Sequence, residues 1–199
     1  MTMLKKIDRQ ECLDKFSTFP LREYDKKKDE EVFYYPNINS LYWLKLQADT
    51  EIQLKKKIAA ELVSLYRELG IDRLTFLCDF NSTWITKNSK NRTDYKQLIN
   101  AVKYLRDNKV TLKFNGGITV DIAHLKEFLE HFIILTRCDA SFSYYHFIND
   151  DEDLIGYIHY DGEVRFDTLN NKANDRFLKA IKKTTFEDTG RENLKRSRY

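Results

Sequence analysis

The chain has 199 residues, 34 basic against 31 acidic side chains for a net charge of +3, and 42% hydrophobic residues. That length suits one well-cored domain, and so even a charge balance does not by itself imply a nucleic-acid partner, since a binding footprint needs clustering as well as excess. Six Gly and two Pro exclude a fibrous or low-complexity chain, and Cys12, Cys78 and Cys138, far apart and without a Cys-x-x-Cys, support neither a disulfide framework nor a zinc module.

Taken in order, the N-terminus lacks the apolar run of a signal peptide, and no apolar stretch reaches the ~18 residues of a membrane helix, so a cytoplasmic location without membrane contact is expected. Residues 8–17 suit a short helix with Cys12, Leu13 and Phe16 on one side. The charge run at 25–31 reads as a solvated loop. Residues 32–35 and 40–46 are β-like and flank Pro36-Asn37-Ile38-Asn39, which predicts a hairpin of aromatic strands carrying Phe33, Tyr35, Tyr42 and Trp43. Residues 50–69 give the clearest helix, with Ile58, Leu62, Leu65, Tyr66 and Leu69 on one stripe and Gly70 where a left-handed cap belongs.

A buried strand is expected at 74–80, then a long polar loop at 81–92 containing Trp84. Thr93 or Asp94 can cap a helix with a stripe of Tyr95, Leu98, Ile99, Val102 and Leu105. Residues 110–114 and 118–120 read as strands around Gly116-Gly117, and Asp121 can cap a third long helix. The segment 141–168 reads as a three-stranded meander. Its second turn, Asp161-Gly162, predicts a two-residue type I′ loop, which would set Tyr157 opposite Phe166 and Ile158 opposite Arg165. Ala173, Phe177, Leu178 and Ile181 mark a closing helix. The expected architecture is α+β, a mainly antiparallel sheet with helices packed on one face, ending in a β-meander and a C-terminal helix. One domain at 1–185 would be followed by a basic, flexible tail at 186–199.

Three functional readings arise. Cys78-Asp79-Phe80-Asn81-Ser82-Thr83, at a strand end, resembles the first motif of haloacid-dehalogenase-like phosphotransferases, although Asn81 stands where that family has its second Asp. The resemblance implies a metal-dependent phosphohydrolase with Asp79 as nucleophile and the later pair Asp150 and Asp151 holding magnesium. Asn149, Asp151 and Asp153 have calcium-loop spacing, but Leu154 and Tyr160 replace the Gly and Glu that such a loop requires, so an EF-hand is excluded. His146 and His159 can meet across the first hairpin of the meander.

Basic groups at Lys87, Lys90 and Arg92 beside Trp84 suggest a nucleic-acid-binding regulator, with cations on phosphates and an aromatic on a base. The leading reading is a non-enzymatic protein-binding domain, since aromatic anchors and charge patches are present without an assembled catalytic set. In size, mixed α+β character and lack of motifs the chain is similar to bacterial immunity proteins that neutralise a cognate toxin. On that reading Asp150, Asp151, Glu152, Asp153, Ile158, Tyr160, Glu163 and Arg165 form the contact surface, an acidic loop suits a basic toxin domain, and no cofactor or metal is expected.

Overall fold

The computed structural model describes residues 3–190. In chain order the elements are β1 (Leu4–Ile7), α1 (Arg9–Lys15), β2 (Leu21–Asp25), β3 (Glu30–Tyr34), β4 (Ser40–Lys45), α2 (Glu51–Glu68), β5 (Arg73–Cys78), α3 (Lys87–Asn91) and α4 (Lys96–Asp107). There follow β6 (Gly117–Asp121), α5 (Ile122–Cys138), a 3₁₀ turn (Ala140–Tyr144), β7 (Tyr145–Asn149), β8 (Leu154–Ile158), β9 (Val164–Thr168), α6 (Asn171–Ile181) and β10 (Glu187–Asp188). Eight strands form one antiparallel sheet in the order β1-β6-β5-β7-β8-β9-β4-β10, while β2 and β3 make a separate two-stranded ribbon. The α+β class, the antiparallel sheet and the meander β7-β8-β9 match the expectation.

Alternation along the strands decides what each face meets. Leu74, Phe76, Phe147, Ile158, Val164 and Phe166 point to the face covered by the long helices, where α2 and α5 pack on each other, α4 lies against α5, and Phe177 of α6 stacks near Phe166. The apolar stripe of α2 is buried there, Thr50 accepts a hydrogen bond from the Gln53 amide at 3.2 Å to start it, and Gly70 at φ +70° follows its end. The opposite face receives α1, whose Cys12 and Phe16 join Phe19 over Ile7, Leu77, Ile148 and Ile155, and beside it Tyr35 from the end of the β2–β3 ribbon, which packs on His146 and Arg165. From Leu74 to Cys78 strand β5 is therefore buried on both sides, and its one polar residue there, Thr75, is matched by a hydroxyl–hydroxyl hydrogen bond to Thr119 at 2.8 Å.

Several expectations are corrected. Residues 32–35 and 40–46 do not form a hairpin: β3 pairs with β2, and β4 pairs with β9. The charge run is the turn of that ribbon, with Asp29 at φ +53°. Residues 110–114 form a turn rather than a strand, and the loop at 81–92 contains the short helix α3. The Asp161-Gly162 hairpin has three loop residues, not two. Only Gly162 takes positive φ, at +97°, and His159 N–H closes on Glu163 C=O at 2.8 Å. This is a type I turn with a left-handed bulge residue. The register slips by one, so Tyr157 faces Arg165 and Ile158 faces Val164. Since side chains alternate with a period of two, that slip exchanges which residues of β9 share a face with Tyr157. Finally, β10 pairs with β4, which carries sheet pairing past residue 185 into the segment expected as a tail; residues 191–199 of that expectation lie outside the described residues. Among the described residues no helix is long and apolar enough to cross a membrane.

Candidate functional site

The face opposite the long helices carries a cross-strand row. The register sets Leu77 of β5, His146 of β7, Tyr157 of β8, Arg165 of β9 and Trp43 of β4 side by side. Four strand spacings make this row roughly 19 Å long. Helix α1 closes over its Leu77 end, Tyr35 lies against the buried His146, and Tyr157, Arg165 and Trp43 continue the row as a partly exposed aromatic and cationic surface. His146 and Tyr157 have ring centroids 5.6 Å apart, Tyr157 meets Trp43 edge-on at 6.2 Å, and Trp43 meets His159 edge-on at 6.0 Å.

Two buried carboxylates anchor this surface. Asp167 takes both arms of Arg165, Nε on Oδ1 and Nη2 on Oδ2, each at 2.9 Å. Tyr35, just beyond the ribbon, donates its hydroxyl to Asp167, and its ring lies under the Arg165 guanidinium at 5.3 Å. Burial opposes the charge of Arg165, but Tyr35 and Asp167 outweigh it and hold the guanidinium more firmly protonated than usual. Burial, reinforced by the charge of Asp161, pushes the Tyr157 phenol up to about 12, so it stays a hydrogen-bond donor at neutral pH.

Asp79, 0% exposed, follows β5 and fastens the ribbon to the sheet. Its carbonyl accepts the Arg22 amide at 3.0 Å, and its Oδ2 accepts Arg22 Nε at 2.9 Å. The Arg22 guanidinium sits among the rings of Phe33, Tyr144 and Phe80 at 4.5, 5.0 and 5.5 Å. His146 Nε2 lies 3.5 Å from the same carboxylate oxygen, while Asp79 Oδ1 and His146 Nδ1 are buried without a hydrogen-bond partner among the described residues. Chemically, the assembly holds aromatic rings and two guanidinium groups in fixed positions, with each acid already matched to a cation.

The structure does not bring the expected phosphohydrolase residues together. Leu74 pairs with Asn149 and Cys78 with Tyr145, so Asp79 and Asp150 lie at opposite ends of β5, about 20 Å apart at ~3.3 Å per residue. Among the described residues no three His, Cys, Asp or Glu side chains gather closely enough to hold a metal ion. The acidic loop is tied to the protein itself: Asp150 pairs with Arg73 at 3.0 Å and Lys15 at 3.7 Å, Asp153 with Arg176 at 2.6 Å, and Glu152 accepts the Thr18 amide at 2.9 Å. Of its acids only Asp151 makes no side-chain hydrogen bond or ion pair among the described residues.

The expected contact surface is also divided. Ile158 is buried against the helices, Arg165 points to the opposite face, Glu163 is half-buried, and Tyr160, 58% exposed, sits at the end of β8 remote from the acidic loop. His146 faces Tyr157 rather than His159. Trp84, expected to stack on a base, is wholly buried, donates Nε1–H to Gly116 C=O at 2.8 Å and packs on Tyr145. Lys87, Lys90 and Arg92 are exposed, and Arg92 is forked onto Asp94 at 2.6 and 2.9 Å.

Sequence reasoning missed the partnership of Tyr35, Trp43, His146, Tyr157 and Asp167. Each lies in a strand or strand flank whose alternation was readable, but their union depends on the β4-β9 pairing and on the slipped hairpin. Comparison of the chain with protein-family models, with curated proteins and with solved structures finds no match in any of the three.

Proposed function

We propose that the chain is a non-enzymatic protein-binding domain that engages its partner through the Trp43 end of the cross-strand row. The observation that carries this reading is that Trp43, Tyr157 and His159 remain partly exposed on a sheet face that α1 covers only at its other end. Their positions are set before any partner arrives, by the edge-on ring contacts and by the Tyr35, Arg165 and Asp167 cluster beside them. Aromatic rings held in this way bury large area at small entropic cost, which is how interface anchors act. At its finest the reading is of an immunity-like inhibitor that occludes a toxin. The contact surface is then the aromatic row, and the acidic loop, engaged by Lys15, Arg73 and Arg176, is structural.

The test is recovery of a stoichiometric partner with the tagged chain from its native host, repeated with Trp43→Ala and with Asp151→Lys. The expected result is a partner retained by Asp151→Lys and lost by Trp43→Ala, with unchanged circular dichroism in both. Recovery of the chain alone, or a partner held equally by Trp43→Ala, overturns the assignment.

A further inference from the structure

A second site lies far from the aromatic row in sequence and in the fold, between α3 and α4. A cavity of about 320 Å³ opens there, lined by Lys90 and Arg92 on one side and Lys103, Arg106 and the acid Asp107 on the other, with Ile99 and Val102 among its walls, so that four cations face one carboxylate. Its volume is at the small end of the range for ligand pockets, roughly 300–1,000 Å³. The balance of charge is the informative feature. Lys90 and Arg106 make no side-chain ion pair among the described residues, whereas Lys103 pairs with Asp107 at 2.5 Å and Arg92 with Asp94 at 2.6 Å. Both of those pairs are largely solvent-exposed, and exposed pairs are weak enough to exchange partners.

We infer that this cavity is a binding site for a phosphate ester carried on a flat ring: the phosphate of a free nucleotide or of a single-stranded nucleic acid. A phosphate entering the cavity meets two unpaired cations at once and can draw Arg92 and Lys103 from their exposed acids. Guanidinium forks suit phosphate oxygens bidentately, and ammonium groups supply point charge. The apolar side chain of Ile99, 41% exposed, offers a surface for a sugar or base, with Val102, 5% exposed, closing the floor beneath it. This assigns to the Lys90 and Arg92 region the ring contact that Trp84, sealed in the core, cannot make.

The experiment titrates the full chain with a fluorescent thymidine oligonucleotide, with AMP and with pyrophosphate, and repeats each titration on two charge-reversed variants. One variant is Lys90→Glu with Arg106→Glu in the cavity; the other is Lys195→Glu with Arg196→Glu in the basic C-terminal segment. The expected result is binding of the oligonucleotide, AMP or both that falls at least tenfold in the cavity variant and survives in the C-terminal one. Binding of the oligonucleotide alone identifies a strand as the source of the phosphate, and binding of AMP identifies a free nucleotide. With two to four phosphates neutralised at about 0.7 per contact in the logarithmic salt slope, oligonucleotide affinity should fall roughly 7- to 50-fold between 50 and 200 mM salt. Absence of binding by both nucleotide probes at low salt overturns the site, and so does binding that only the C-terminal variant reduces. Pyrophosphate binding as tight as that of AMP overturns the role given to Ile99 and Val102.

Discussion

The attachment of the ribbon to the sheet can be tested at Arg22. Replacing it with Met keeps an unbranched apolar stem among Phe33, Phe80 and Tyr144 but removes the charge. Asp79 then stays buried, with one oxygen already lacking a hydrogen-bond partner and only His146, at 3.5 Å, to face the other. Removing one partner of a buried pair costs about 3–5 kcal/mol. Because the Arg22 side chain is 26% exposed, the lower end applies, about 3 kcal/mol. At roughly 2–4 °C per kcal/mol for a chain of this size, the melting temperature should fall by about 6–12 °C.

Asp79→Asn alone should cost less, about 1–2 kcal/mol, since the amide oxygen can still accept from Arg22 and the partly exposed guanidinium regains water. The double variant decides the matter: removal of the buried charge should make it more stable than Arg22→Met by itself. Urea unfolding of the four proteins measures this coupling directly. If Arg22→Met loses less than about 1 kcal/mol, or if the double variant shows the simple sum, the pair is not what fastens the ribbon.

Two further outcomes follow from packing and burial. A Cβ on Gly156 would overlap the ring of Phe147, which is 1% exposed, so Gly156→Ala should cost about 1–3 kcal/mol; adding Phe147→Leu should recover part of that loss, and strict additivity in urea unfolding would refute the steric account. Burial pushes the Cys12 thiol from 9.0 up to about 11 and the Cys78 thiol up to about 12, so both stay neutral in the fold while the unfolded chain ionises. The associated stability is fully present below pH 9 and falls as pH rises toward 11 and 12, because the unfolded state then holds fewer protons than the native one. Cys12→Ala with Cys78→Ala should flatten this part of the pH profile of thermal unfolding, and an unchanged slope would show that other groups carry it.

Local chemistry made much of the fold legible. The 3.6-residue stripe of Ile58, Leu62, Leu65 and Tyr66, with Gly70 behind it, defines α2 within a residue or two of its observed ends, since capping and amphipathicity are properties of neighbours in sequence. The meander was visible for the same reason. The aromatic hairpin failed because Val32, Phe33 and Tyr34 specify an extended backbone without specifying its partner, and β2, rich in charge, left little signal of its own. Trp84 failed similarly: a tryptophan in a polar loop reads as displayed, yet a single hydrogen bond to Gly116 lets the loop turn it inward against Tyr145.

The candidate site depended on one residue of register. Alternation within β8 and β9 placed Tyr157 with His159 and Arg165 with Asp167 from sequence alone, but not those two pairs on one side of the sheet. A two-residue loop needs positive φ at both Asp161 and Gly162, whereas the three-residue loop needs it only at Gly162, and that difference reverses the relation between the strands. By itself the sequence determined the α+β class, the main helices and the faces within each strand, because periodicity and capping act over a few residues. Tertiary structure alone decided that Trp43, Arg165, Tyr157 and His146 form one row, that Asp79 and Asp150 stand at opposite ends of a strand, and that the acidic loop is bound to its own protein. Those outcomes rest on contacts between segments far apart in sequence, such as Trp43 and Arg165, separated by 122 residues, for which no local preference codes.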